Sequence, residues 1–299
     1  MENKMRVCTL YESRLGRNDG PPLYWTNAMR NLGIEVVHLS SQNHFDGSLY
    51  DAILWIDWGE DAVGDCLPYK PIDVSGYENT IYVTSDTHLG FDYRLKKARE
   101  FKKVYVNQLD AVDLFKEKGV DATWLPHAVE PMAYPDKPLC IKKYDIGFVG
   151  FVTFEKRAIF LDRMLKEFPN FYVGQHFFED CAEKFRQSKI VLNTSATDDL
   201  NMRFFESWGT GSFTLSEYIP SFEKMDLPVE AEMISYKSHD DCVEKVKYYL
   251  KNAEERILIA ETMKDYILKH HTYQERVKQI FNLDQEEIKD GKEHCVGVN

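Results

Sequence analysis

Arg203 and Glu206 stand three residues apart in the run Asn201-Met202-Arg203-Phe204-Phe205-Glu206, so a helix there would carry both on one face. A guanidinium suits a diphosphate, and a carboxylate accepts hydrogen bonds from ribose hydroxyls. Asp198 lies eight residues before Glu206, where a second acid would meet a sugar hydroxyl. Spacing alone favours a plainer explanation, an Arg–Glu pair that ties a helix to its neighbour, because such pairs are common. Upstream, Gly150 permits a close backbone approach. Arg157 follows near the start of a helical stretch, where helix dipole and guanidinium both favour an anion; its plain alternative is a surface arginine. In the first half, Asp86 and His88 end an apolar run and are of the types a general base needs. For each lone histidine, a satisfied structural imidazole is the commoner role.

These residues need elements to hold them. Lys189 to Asn193 reads as a buried strand ending in polar residues, Asn201 to Gly209 as a helix, and Ser212 to Leu215 as a strand, with Gly209 and Gly211 placed to end the helix. Such a βαβ unit binds ligands at the carboxyl ends of its strands. The first half repeats the theme. Strands are expected at 5–11, 34–39, 50–57, 79–88, 103–107 and 122–125, with a helix opened by Pro21-Pro22 and a polar loop before it that carries Arg17, Asn18 and Asp19. The proline-rich segment 126–138 marks a linker. After it come a strand at 144–150, a helix to about Glu167, strands at 171–174 and 233–236, and amphipathic helices over 239–250 and 253–269. The expected domains are 1–130 and 131–270, with 271–299 a final helix and a frayed tail.

A net charge of −12 argues against binding nucleic acid mainly through the protein's electrostatic field. The basic run Arg94, Lys96, Lys97, Arg99, Lys102 and Lys103 is explained most economically as a solvated helix face. The cysteines are scattered with no Cys-x-x-Cys pair, which points away from a zinc site or disulfide framework and towards a reducing cytoplasm. No apolar run approaches the ~20 residues that span a bilayer, and none reads as a signal peptide.

The Asn-x-Arg-x-x-Glu run with its Gly211-Ser212-Phe213 turn resembles the donor-binding segment of GT-B glycosyltransferases, in particular the spore-maturation (CgeB-like) group. Leu125-Pro126-His127-Ala128-Val129-Glu130-Pro131 and the tail from His271-Thr272-Tyr273 are similar to the same group. The resemblance implies an α/β chain of two Rossmann-like domains facing a cleft, with the last helix crossing back to the first domain. The nucleotide-sugar donor, a UDP- or GDP-sugar, would be held by Gly150, Arg157, Asn193, Asp198, Asn201, Arg203, Glu206 and Gly211. Retaining members often carry two glutamates eight positions apart; Asp198 holds the first position here. Asp86 and His88 would serve an inverting reaction as base, with His127 as rival. With no Asp-x-Asp motif, no metal and no cofactor are expected. The acceptor hydroxyl stays open: a glycan, a surface polymer, a protein or a modified nucleic-acid base. Two other classes remain. One is a noncatalytic nucleotide or nucleotide-sugar binder on the same fold. The other is a Rossmann oxidoreductase, for which Gly209-Thr210-Gly211 lacks the third glycine.

Overall fold

The computed structural model describes residues 4–10, 20–39, 45–57, 72–135, 137, 141–195 and 199–283. Asp198, Arg17, Asn18, Asp19 and the tail from 284 lie outside them. The chain divides into two compact units, Met1–Pro126 with Tyr273–Asn299, and His127–Thr272.

The first unit is built on β1 (Arg6–Leu10), α1 (Pro21–Asn31), β2 (Glu35–Leu39), β3 (Ala52–Asp57), β4 (Thr80–Thr84), α2 (Phe91–Ala98), β5 (Lys103–Val106), α3 (Leu109–Glu117) and β6 (Ala122–Trp124). The strands form one parallel sheet in the order β2-β1-β3-β4-β5-β6. Every residue of β3 and β4 is buried, as a sheet covered on both faces requires. Tyr82, Trp55, Phe101 and Phe115 fill one side of it. β4 is shorter than the apolar run implied: it ends at Thr84, and Thr87–Leu89 forms a 3-10 turn into α2. The basic run after it is not a solvated face throughout. Arg94 is fully buried, and Lys97 is buried with its ammonium 4.0 Å from the centre of the Trp55 ring.

The second unit comprises β7 (Tyr144–Val149), α4 (Glu155–Glu167), β8 (Phe171–Gly174), α5 (Phe178–Gln187), β9 (Ser188–Asn193), α6 (Met202–Gly209), β10 (Thr214–Glu217), α7 (Ala231–Ile234), β11 (Ser235–Tyr236), α8 (His239–Lys251) and α9 (Ala253–His270). Its sheet, also parallel, runs β11-β10-β9-β7-β8. The strand expected at 233–236 is therefore mostly α7, and only its last two residues pair with β10. The order reverses between β7 and β9: from β7 the chain moves outward to β8, and from β9 it moves the other way to β10. A crevice at such a switch point is where open α/β sheets bind ligands.

The segment after Pro126 is part of the second unit rather than a free linker. Ala128, Val129, Glu130 and Tyr134 are buried, and Val129 pairs with Thr272 and donates its N–H to the His271 carbonyl at 2.9 Å. Val129 also packs on Gly209 of α6, where an added Cβ would lie 3.0 Å from a Val129 methyl. The boundary accordingly falls at Pro126/His127, ahead of the 130/131 expected from the prolines. At the other end the break is at Thr272/Tyr273, and α10 (Tyr273–Phe281) belongs to the first unit. Its Tyr273 ring sits 5.4 Å from Tyr24 and 5.6 Å from Trp25 of α1, centre to centre. Arg276 donates to the Pro126 carbonyl at 2.7 Å.

Candidate functional site

Arg203 spans the switch point of the second sheet. Its Nε donates to the carbonyl of Val149, the last residue of β7, at 2.6 Å, and Nη1 donates to Asn193 Oδ1, at the end of β9, at 2.9 Å. Asn193 is itself fixed: its Nδ2 donates to Ser216 Oγ at 3.0 Å, and its carbonyl accepts from the Tyr236 hydroxyl at 3.3 Å. One arginine thus reads the ends of both central strands. Gly150 allows this approach. A Cβ there would fall on the Arg203 guanidinium, and its φ of 154° is one that side-chain-bearing residues rarely adopt.

Arg157, in the first turn of α4, turns inward and is 5% exposed, so it is no surface arginine. Nη1 donates to the Phe151 carbonyl at 2.7 Å and Nη2 to the Thr194 carbonyl at 3.1 Å. Its Nε is buried with no hydrogen-bond partner. Both guanidiniums face the Phe148 ring, with their central carbons 5.7 Å (Arg157) and 4.5 Å (Arg203) from its centre. Burial, and after it the Arg157 charge, push the Arg203 pKa down to about 10, so it remains a cation at neutral pH. Burial also lowers Arg157, against the opposing pull of Asp199 and Glu217. Two like charges held together, with one buried N–H left unpaired, form a site that an anion would relieve.

Around them lies a polar collar that the sequence reading missed in part. Glu217, at the end of β10, accepts from Thr194 Oγ1 at 3.2 Å and the Ser195 N–H at 3.3 Å, and pairs with Lys156 at 2.8 Å. Ser195 in turn donates its hydroxyl to Asp199. Glu217 was detectable only as an acid two residues past an apolar strand core, a signal too common to single out.

The other expected donor residues divide. Asn201 is the N-cap residue of α6, and both polar atoms of its amide are buried without partners. Glu206 is 8% exposed, and burial raises its pKa to about 7 although the Tyr134 hydroxyl donates to it and Arg203 is near. Arg203 and Glu206 therefore share a helix but not a bond: one reaches the strand ends, the other the Tyr134 segment. Gly211 stands apart. With φ of 73° it closes α6, its N–H donating to the Trp208 carbonyl at 2.9 Å, at the amino end of β10. That is the opposite edge of the sheet from Arg203, so its evident task is the turn.

In the first unit, Asp86 follows β4 in a left-handed conformation (φ 49°) and His88 is exposed in the turn after it. Both lie at the carboxyl side of their sheet, beside the buried Asp57 that ends β3. His127, the rival base, is buried in the second unit. Among the described residues no group of three or more His, Cys, Asp or Glu is arranged to hold a metal, and no helix is long and apolar enough to cross a membrane. Cys8, Cys181 and Cys242 are free and buried.

The fold has known counterparts. Residues 157–282 match the family described as glycosyl transferase-like. No curated protein matches by sequence. A structure of T4 phage β-glucosyltransferase with UDP and Mn2+ is 14% identical over 93% of this chain and 100% of its own, with a TM-score of 0.62. Sucrose-phosphate synthase from Thermosynechococcus elongatus is 9% identical over 96% and 100%, with a TM-score of 0.57. An α-glucosyltransferase with UDP and a 13-mer DNA containing a HMU base is 10% identical over 94% and 99%, with a TM-score of 0.57. At such identities the likeness is one of fold. The family match thus takes in most of the second unit and α10, and the likeness to GT-B enzymes over the rest of the chain is that of an α/β fold with parallel sheets.

Proposed function

We propose that this chain transfers a sugar from a nucleoside diphosphate sugar to an acceptor hydroxyl, with the two units facing one cleft and the chain standing near the spore-maturation group of the family. The observation that carries the reading is the pair of guanidiniums on Phe148 at the switch point, with Arg157 Nε buried and without a hydrogen-bond partner. The diphosphate would lie against Arg157 and Arg203, and Glu206 would accept from the ribose. In the reaction the acceptor oxygen forms a bond to the anomeric carbon while the bond from that carbon to the phosphate oxygen breaks. The leaving diphosphate keeps the electron pair, and the two arginines stabilise its growing charge. If the reaction inverts, the acceptor proton passes to Asp86 or His88. Uridine diphosphate sugars come first in a screen, since two of the solved structures above hold UDP.

Calorimetric titration of UDP- and GDP-sugars, with NAD as control, tests the donor. Mass spectrometry of products tests transfer. Binding with neither transfer nor hydrolysis would leave a noncatalytic nucleotide-sugar binder. Binding of NAD alone would sink the reading.

A further inference from the structure

Arg94 has no exposed surface, and what it holds is the turn bearing Asp86 and His88. Its Nε donates to the Ser85 carbonyl at 2.9 Å and its Nη1 to the Leu89 carbonyl at 3.1 Å, so one planar fork grips both ends of residues 85–89. Behind it, Nε lies 3.2 Å from Asp57 Oδ2. That oxygen also accepts from the Tyr82 hydroxyl at 2.5 Å and from Thr84 Oγ1 at 3.0 Å. Within the turn the Leu89 N–H closes on the Asp86 carbonyl at 2.8 Å, and the Thr87 N–H reaches Gln108 Oε1 at 3.4 Å.

Stability alone is a poor reason for this arrangement. A buried ion pair returns little beyond its desolvation cost, and apolar side chains of like volume often serve as well. The pair is not even fully satisfied, since Arg94 Nη2 is buried with no hydrogen-bond partner. A left-handed aspartate, moreover, persists only where its surroundings over-determine it. The two carbonyls that Arg94 takes are those that flank Asp86 and His88.

We propose that Arg94, anchored by Asp57, is a positioning residue that sets the geometry of the Asp86–His88 turn for proton transfer. The proposal rests on the reading in which that turn supplies the acceptor-side base. Lysine at this position keeps the charge beside Asp57 but cannot reproduce the planar fork.

The test compares wild type with Arg94→Lys and with the double variant Arg94→Met/Asp57→Asn, which removes the buried charge pair together and so guards against loss of folding. Two measurements are made: amide hydrogen exchange, and steady-state turnover of UDP-glucose. The expected result is exchange at Thr87 and Leu89 faster by roughly tenfold or more, with Ile81 to Val83 still protected. Turnover number falls on the order of 10- to 100-fold while KM for the donor stays within about twofold, because the donor site lies in the other unit. Unchanged exchange at Leu89 overturns the clasp, and folded variants with wild-type turnover overturn its role. If wild type neither binds nor consumes nucleotide sugars, the glycosyl-transfer reading fails, and the base-positioning role with it. Hydrogen exchange then still reports whether the clasp exists.

Discussion

Arg157 and Arg203 share one aromatic ring, Phe148, from which their guanidinium carbons stand 5.7 and 4.5 Å. They come from different helices and neutralise no common acid. Each spends part of its hydrogen-bonding capacity on main-chain carbonyls of the loops and strands that meet at the switch point, which fixes its position before any ligand arrives. Preorganised cations of this kind lose little on binding and act most strongly where charge develops.

Arg203→Met should weaken nucleotide-sugar binding by about 1.5–3 kcal/mol, the worth of charge-assisted hydrogen bonds. Arg203→Lys should fall between this variant and wild type, because it keeps the charge and loses the fork. Calorimetry on folded protein decides; wild-type affinity in the methionine variant would remove Arg203 from the donor site.

Glu206→Ala should weaken donor binding by about 1.5–3 kcal/mol as well. The residue also makes a pH prediction. Its folded pKa, about 7, lies above the ordinary glutamate value of 4.5, so the native state binds the extra proton between these two pH values. Its contribution therefore favours the folded state below about pH 4.5 and is lost as pH rises through 7, a swing of up to roughly 3 kcal/mol. Glu206→Gln should flatten the melting temperature against pH between 5 and 8. An unchanged slope would mean that the carboxyl is ionised throughout.

Transfer should survive EDTA, because Arg157 and Arg203 can carry the diphosphate charge by themselves. T4 phage β-glucosyltransferase has been solved in complex with UDP and Mn2+, which makes the measurement worth doing. Full loss on chelation, restored by manganese or magnesium, would reassign part of the charge stabilisation to a metal.

Truncation before Tyr273 should impair transfer more than nucleotide binding, since the donor residues all precede it and His271 and Thr272, which pair with Val129 in the second unit, are kept. The cause would be the first unit, where α10 packs on α1 through Tyr273. Tyr273→Ala alone should cost about 3–5 kcal/mol of stability, as for other large buried aromatic side chains. Differential scanning calorimetry reads it, and an unaltered melting profile would show that the contact does not hold the unit together.

Periodicity and punctuation were enough to expose the two parallel sheets. β3 and β7 are apolar runs, Pro21 opens α1, and Gly211 closes α6, because buried strands and helix ends are dictated by nearby residues. The run from Asn201 to Glu206 was legible for the same reason: its residues are neighbours on one short helix. What the chain order conceals is direction and partnership. Only the fold sends Arg203 to the ends of β7 and β9, turns Arg157 inward, and aims Glu206 at Tyr134. Only the fold moves the proline-rich segment into the second unit, since Val129 meets His271 across a sequence gap that no local pattern spans. Asp57 and Arg94 are hidden for that reason too. A buried ion pair is a property of where two strands and a helix meet, and it leaves no period in the sequence.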